Sequence, residues 1–348
     1  MIEVLKRGIV LQKRAVPSEV EGVLNPAVIL DNGVVHMFYR AVAKGNFSTI
    51  GSCQLNGAMN VVNQLDHSVL APQSADESHG VEDPRIVKID DIFYLTYTGF
   101  DGVNARGKLA TSRDLVHFER HGIIVPEVTY DQFHSLAESD RTINEKYRRY
   151  NNQNHFSGQI HPDELLWDKN VIFFPRKINN KFTVLHRIRP DIQMFQFYSL
   201  YELTHEYWKT YLNEFSSHIV LSPRYDHELS YIGGGCPPIE TDAGWLLIYH
   251  GVHDTVEGYV YCACACILDI EFPMVELARL PYPLFSPEES WEITGAVNNV
   301  CFPTGAVVIA GELFIYYGAA DHQIACASIH LAELVEEIMK YKIYHENE

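Results

Sequence analysis

The sequence predicts an all-β fold: a five-bladed β-propeller with a polar insertion between blades two and three and a C-terminal helix. Three observations predict it. A turn followed by an alternating apolar strand occurs five times, as DNGVVHMFYRAV from Asp31, DDIFYLTYTGF from Asp90, NNKFTVLHRI from Asn179, DAGWLLIYHGV from Asp242 and AGELFIYYGAA from Ala310. Short strands flank each copy, with turn residues between them. Five units of about four strands each use the whole chain, residues 1–348, as one domain.

Taken in order, four copies have a partner strand upstream: NPAVILDNG, DPRIVKIDD, NVIFFPRKINN and FPTGAVVIAGE. Downstream of each copy comes a strand rich in small residues: TIGSCQL, GKLATSRDL, FYSLYELT, YVYCACACILD and QIACASIHL. Each central strand closes on an aromatic or histidine followed by a small, polar or basic residue. These pairs are Tyr39-Arg40, Tyr97-Thr98, His186-Arg187, Tyr249-His250 and Tyr317-Gly318. In a propeller such ends converge on one end of the central channel, where ligands bind.

Two segments break the pattern. Residues 131–166 are polar and charged without alternation, which predicts an insertion with some helix. It would act as a lid, as a contact between copies of a homo-oligomer, or as a solvated loop. Near the C-terminus Leu331, Leu334, Val335, Ile338 and Met339 recur at helical spacing, predicting an amphipathic helix over about 330–343 packed on the propeller.

Composition narrows the partners. A formal charge of −18 argues against nucleic acid and against an anionic membrane surface. No apolar run reaches the ~18 residues of a membrane span, and no apolar leader follows MIEVLKRGIV. The seven cysteines have no framework spacing, and reduced thiols with no leader fit the cytoplasm. Cys262, Cys264 and Cys266 alternate along one strand face at ~7 Å, poor geometry for a single metal, and read as small core residues. The 20 tyrosines suit either a sugar cleft or a β-sheet core.

The chemistry gathers at HGVEDPRIV. Asp83 precedes Pro84, which biases it towards extended backbone and holds its carboxylate in one orientation. Arg85, two residues on, shares a strand face with Asp83, whereas Glu82 faces away and reads as structural. Asn25 in LNPAV also precedes a proline. Arg40, Arg187 and His250 close strands in other blades, and Asp321 follows the fifth. A mixed-charge set at equivalent places in the blades is hard to bury as core. HGVHD (His250, His253, Asp254) lies at a strand end and carries no metal prediction. Gly233 to Gly235 lead into diproline rather than a helix, and read as a turn close to substrate.

Together NPAVILDNGVVHMFYRA, GVEDPRIV, FFPRKI with HRIRPDI, and LIYHGV resemble glycoside hydrolase family 130, the β-mannoside phosphorylases and their hydrolase relatives. The likeness runs from about Asn25 to Asp321. It implies a five-bladed propeller, in agreement with the repeat count. It also implies that Asp83 is the catalytic general acid, with its proton reaching the glycosidic oxygen through the 3-hydroxyl of the bound mannose. Asn25, Arg40 and Asp321 would hold the mannosyl unit, joined by Arg85 as a neighbour orienting Asp83 or the sugar. Lys169, Arg187 and His250 match a basic trio that holds phosphate, with Tyr259 nearby. Lys169 stands where some members carry Arg, which keeps charge but weakens bidentate binding. No metal or cofactor is implied; inorganic phosphate is a co-substrate.

Physical logic separates the two chemistries of the family. Inverting hydrolysis needs an acid on the leaving oxygen and a second carboxylate to activate water. Phosphate is already anionic and needs cations instead of a base. Retention of Lys169, Arg187 and His250 therefore favours phosphorolysis of a β-manno-oligosaccharide over β-mannosidase hydrolysis. The likeness of HRIRPDIQ to the β-1,2 branch slightly favours β-1,2 over β-1,4 linkages. A non-catalytic sugar-binding propeller is the reading from another class.

Overall fold

The computed structural model describes residues 2–137, 143–147 and 164–343. It shows a five-bladed β-propeller. The first blade is built from Gly22–Asp31, Val34–Ala43, Phe47–Asn56 and Asn60–Val62, and the second from Gly80–Ile89, Ile92–Phe100, Ala105–Ser112 and Glu119–Ile123. Lys169–Phe173, Phe182–Arg187, Ile192–Phe197 and Ile219–Leu221 make the third. In the fourth, Tyr231–Gly234 and Ile239–Thr241 both pair with Gly244–Thr255, followed by Gly258–Leu268 and Glu276–Arg279.

The fifth blade closes the ring. Cys301–Ile309, Glu312–Ala319 and Gln323–His330 are joined by the N-terminal strand Leu5–Leu11, antiparallel to the last of them with Leu5 opposite Ser328. Pairing the first strand of the chain with the last closes the ring through backbone hydrogen bonds. The repeat pattern does not reveal this strand, because its partner lies more than 300 residues away.

Large apolar clusters fill the seams between blades. Val23, Tyr39, Tyr316 and Cys326 join blades five and one, whereas Phe38, Ile50, Val81 and Leu95 join one and two. Blades two and three share Val87, Leu109, Phe173 and Val184; three and four share Ile172, Leu185, Trp245 and Cys264; four and five share Ile248, Ala263, Ile315 and Tyr317. Strand alternation thus supplies an apolar residue to each flanking seam, and burial of both faces stabilises the ring.

Helices add to two of these seams. Tyr130–Ala137 places Tyr130 and Phe133 between blades two and three, where they meet Trp208 and Tyr211 of the helix His205–Asn213. The second helix corrects the sequence reading. Of FYSLYELT only Phe197 lies in a strand: the third strand of the blade is Ile192–Phe197, and Leu200–Glu202 forms a short 3₁₀ turn leading to that helix. Within the predicted insertion, residues 138–142 and 148–163 lie outside the described residues. The C-terminal helix is shorter than predicted, Leu331–Ile338, with Leu334 and Ile338 buried between blades four and five.

The strand-closing aromatics correct a second expectation: they turn into the seams instead of the channel. Each hydrogen-bonds a buried acid just upstream of its blade. Tyr39 donates to Glu19 at 2.6 Å, Tyr97 to Glu77 at 3.0 Å and Tyr317 to Glu292 at 2.5 Å, and Tyr249 donates to Glu228. In the third blade His186 Nδ1 lies 2.7 Å from Asp168. Cations neutralise four of these acids: Arg14 on Glu19, Lys108 and Arg120 on Glu77, Arg279 on Glu228 and Lys6 on Glu292. Fixing the aromatic in the seam leaves the next residue, one step along the pleat, to face the axis.

Candidate active site

One level of the propeller axis is irregular in the same way in several blades. The inner strands skip register after Leu24 opposite Arg40, after Glu82 opposite Thr98, and after Lys169 opposite Arg187. The residues at the three bulges, Asn25, Asp83 and Asn170, have φ of 50°, 51° and 54°. Asn and Asp tolerate this left-handed region better than other side-chain-bearing residues. Asp83 is therefore not extended, as Pro84 suggested; the bulge decides its backbone. Asn25 Nδ2 donates to Asp83 Oδ1 at 2.7 Å, linking two of these positions across blades.

The bulge also overturns the orientation expected of Glu82, though not its structural role. Breaking the two-residue alternation brings its carboxylate round to the same cations as Asp83. Arg40 Nη2 lies 2.9 Å from Glu82 Oε1, and Arg40 Nη1 lies 3.9 Å from Asp83 Oδ1. Lys169 Nζ is 3.6 Å from Glu82 Oε2. Glu82 is nearly fully buried and anchors the two cations.

Asn25, Arg40, Asp83, Lys169, Arg187 and Asp321 all line one cavity of about 200 Å³, the scale of a single sugar unit. The structure places three other predicted residues differently. Arg85 does not line the cavity: it is buried, donates Nη1 to the carbonyls of Asp83 (3.2 Å) and Pro84 (2.9 Å), and reaches Gly235 O with Nε. It fixes the bulge backbone and, through Gly235, ties blade two to blade four. His250 is fully buried with Nε2 3.4 Å from Arg187 Nη1. Tyr259 stands outside the cavity, 41% exposed, with its ring 6.4 Å from that of Tyr261, which does line it.

The glycines before the diproline have a steric role here. Gly233 lies in the strand Tyr231–Gly234, not in a turn, and a Cβ on it would come within 2.5 Å of the His250 ring and 2.8 Å of Arg187 Cδ. Its lack of a side chain makes room for both.

Electrostatics divide the cavity. Burial alone would raise Asp83, but Arg40, Lys169, the Asn25 hydrogen bond and Arg85 together hold its carboxyl below the usual range. Asp321 goes the other way: burial, with Asp83 and Glu82 nearby and only partly offset by Arg40, pushes it up to about 6. Of the two carboxylates lining the site, Asp83 holds the charge and Asp321 takes up a proton first. On the cationic wall, burial and the neighbouring Arg189 lower Arg187 to about 10. Burial and the charges of Arg187, Arg85 and Arg189 drive His250 well below its ordinary value. His250 is thus a neutral imidazole, not the third cation the sequence suggested, and can accept a hydrogen bond from Arg187.

Several lining residues escape the sequence reading, Asn170, Arg189, Tyr231 and Tyr261 among them. Asn170 is the third-blade counterpart of Asn25 and Asp83; KNVIFF matches LNPAVIL in position but lacks the proline that draws attention to the others. Arg189 lies two residues beyond Arg187 in HRIRPDI, and Tyr261 two beyond Tyr259; a period of two could have flagged each. The cysteines are buried as expected, but Cys262 Sγ and Cys264 Sγ approach to 3.8 Å, much closer than an ideal strand spacing. His227, Glu228 and Cys264 also cluster, yet Glu228 is already committed to Tyr249, Arg279 and the backbone N–H groups of Arg224 and Tyr225. Among the described residues no helix is long and apolar enough to cross a membrane.

Comparison with known proteins turns this geometry into a family assignment. The family profile described as β-1,4-mannooligosaccharide phosphorylase, Glyco_hydro_130, matches residues 4–341. The chain belongs to glycoside hydrolase family 130. A family 130 relative, the 1,2-β-oligomannan phosphorylase of Thermoanaerobacter sp. (strain X514), is 31% identical over 333 residues, covering 90% of this chain and 91% of the relative. The β-1,2-mannobiose phosphorylase of the same organism is 32% identical over 328 residues, 89% and 91% of the two chains. In structure, the β-1,2-mannobiose phosphorylase of Listeria innocua superposes with a TM-score of 0.72 at 20% identity, over 97% of this chain and 99% of the other. Another family 130 structure, at TM-score 0.71 and 20% identity over 94% of each chain, comes from work describing family hydrolases that target β-1,2 mannosidic linkages in Candida mannan. Family 130 therefore holds both chemistries, and membership alone does not choose between them.

Proposed function

We propose that this chain is an inverting β-mannoside phosphorylase that transfers a non-reducing-end mannosyl unit to inorganic phosphate. The products are α-mannose 1-phosphate and a shortened acceptor. One observation carries the choice: the cavity sets its carboxylates, Asp83 and Asp321, against a wall bearing Lys169, Arg187 and Arg189. Such a wall suits an anionic nucleophile, whereas a water nucleophile would need a carboxylate base.

In this reading Asn25, Arg40 and Asp321 hold the mannosyl hydroxyls, and Asp83 supplies the proton for the leaving oxygen. Free Asp83 is ionised, and the arriving phosphate adds negative charge that raises its proton affinity, so the acid is armed as the co-substrate binds. Lys169 and Arg187 bind phosphate, with neutral His250 orienting Arg187 from behind. Two relatives at about 30% identity are named for β-1,2-linked mannosides, which favours that linkage; a β-1,4-mannooligosaccharide phosphorylase of Ruminococcus albus, 35% identical over 51% of this chain, supports the β-1,4 alternative. Seven buried free cysteines suit a reducing cytoplasm.

The test is a panel of β-1,2- and β-1,4-manno-oligosaccharides assayed for mannose 1-phosphate with and without phosphate. Release of free mannose at an unchanged rate in phosphate-free buffer would establish the hydrolase instead.

A further inference from the structure

We propose that Tyr147, carried by the insertion, is a positioning residue for the cationic wall, acting through Gln193 and Asp191 on the loop that bears Arg187 and Arg189. The proposal rests on the phosphorylase reading and gives the insertion a task outside the cavity. Arg187 ends the strand Phe182–Arg187, and the chain crosses residues 188–191 before the strand Ile192–Phe197. Arg187 and Arg189 line the cavity, whereas Ile188 between them is buried in the seam of blades two and three. Gln193 closes this loop on itself. Its Oε1 accepts from Ile188 N at 2.7 Å, and its Nε2 donates to Ile188 O at 2.8 Å. Tyr147, fully buried, accepts from the same Nε2 at 2.8 Å and donates to Asp191 Oδ2 at 2.5 Å. Its neighbour Lys146 donates to the carbonyl of Leu229, two residues before Tyr231 on the cavity wall. Two adjacent insertion residues thus hold segments of blades three and four that lead to the site.

Donor and acceptor capacity gives this clasp a single arrangement. An amide nitrogen only donates and an ionised carboxylate only accepts, so the Tyr147 O–H points to Asp191 and its oxygen faces Gln193. Burial pushes Asp191 up to about 6, and Tyr147, Ser222, Lys146 and Arg279 keep it from rising further. At pH 7 the carboxylate is therefore charged and binds the hydroxyl strongly. One side chain, Gln193, holds both backbone groups of Ile188, so Arg187 and Arg189 cannot swing without breaking buried hydrogen bonds. The wall needs such an anchor. The charge of Arg189 acts against that of buried Arg187, and repulsion of this kind strengthens away from water. The Tyr147 ring is itself fixed, with Phe133 and Phe215 packed at 6.0 and 5.1 Å between centroids. Its position does not depend on the hydroxyl.

The experiment is steady-state phosphorolysis on the full chain, with phosphate and mannoside varied separately. Tyr147→Phe keeps the packed ring and should raise the KM for phosphate about fivefold, with the mannoside KM within about twofold. A purely structural hydroxyl would lower Tm in this variant without separating the two KM values. Asp191→Asn keeps an acceptor for the Tyr147 O–H and should leave the phosphate KM within about twofold of the wild type. A rise as large as that of Tyr147→Phe would overturn the hydrogen-bond account. Lys146→Met, outside the packed core, should raise the phosphate KM about threefold and serves as the test if Tyr147→Phe does not fold. If the wild type requires phosphate and the folded variant keeps both KM values, the positioning role is wrong and the phosphorylase reading stands. If the wild type neither requires nor binds inorganic phosphate, both fall.

Discussion

Asn25 Nδ2 meets Asp83 Oδ1 at 2.7 Å, so two bulged residues from neighbouring blades hold one carboxylate at the propeller axis. Each has left-handed backbone, and each is followed by a proline. The acid is positioned by backbone geometry on both sides of a blade junction.

Loss of that acid should stop turnover without unfolding the site. Asp83→Asn is expected to lower kcat by roughly 10²–10⁴-fold, while manno-oligosaccharide binding measured by calorimetry changes little. Retained turnover would move the acid role to another residue.

Glu82→Gln should cost both stability and rate. Glu82 is buried and paired with Arg40 and Lys169, and removing one member of a buried ion pair leaves the others uncompensated. Urea denaturation should show a loss of about 3 kcal/mol, with a lower kcat/KM as Arg40 and Lys169 shift. Arg40 also donates Nε to Ser48 Oγ at 2.8 Å and Nη2 to Asn46 Oδ1 at 3.2 Å, and an unchanged stability would mean that these and Asp83 satisfy it alone.

Asp321 gives a pH-dependent stability of defined sign. Its carboxyl is raised to about 6 in the folded protein, against about 4 for an unfolded Asp. Below pH 4 both states are protonated and there is no penalty. As pH rises from 4 to 6 the unfolded chain releases the proton first, so folding stability falls and stays lower above pH 6. Asp321→Asn removes the penalty: its Tm should exceed that of the wild type at pH 8, by at most ~3 kcal/mol of stability, and match it near pH 4. Activity on mannosides should fall in the same variant.

The proposed phosphate site predicts that phosphate stabilises the free protein by mass action, because a ligand that binds the fold and not the unfolded chain shifts the equilibrium towards the fold. Thermal scans in phosphate against chloride at equal ionic strength should show a higher Tm for the wild type. Arg187→Ala should abolish most of the difference.

Gly318 occupies the place that Arg40 and Arg187 hold in other blades, and a Cβ there would lie 2.1 Å from Asn25 Oδ1. Gly318→Ala should displace Asn25 and lower kcat/KM by roughly tenfold or more, with a stability loss of about 1–3 kcal/mol. Normal activity in this variant would show that Asn25 can move without loss.

Much of this molecule is legible in the chain. Alternation at period two, with turns at Asp31, Asp90, Asn179, Asp242 and Ala310, reports local chemistry, because each blade is a set of strands adjacent in sequence. Asp83 and Asn25 are visible through their prolines, and Arg40 and Arg187 through their place at strand ends. Glu82 is not, because its orientation depends on a bulge, and one extra residue reverses the face of the strand on one side of it relative to the other. Asn170 and Arg189 carry no local mark, and their membership of the cavity depends on blades meeting across the axis.

Periodicity and residue chemistry along the chain are enough to set the number of blades, the residue types brought to their strand ends and Asp83 as a carboxylate to single out. Three features needed the folded ring: the N-terminal strand closing the fifth blade, the aromatics turning into acid-bonded seams, and the neutrality of His250 beside Arg187. These depend on long-range pairing, register shifts and the mutual field of buried charges, none of which is set by neighbours in sequence.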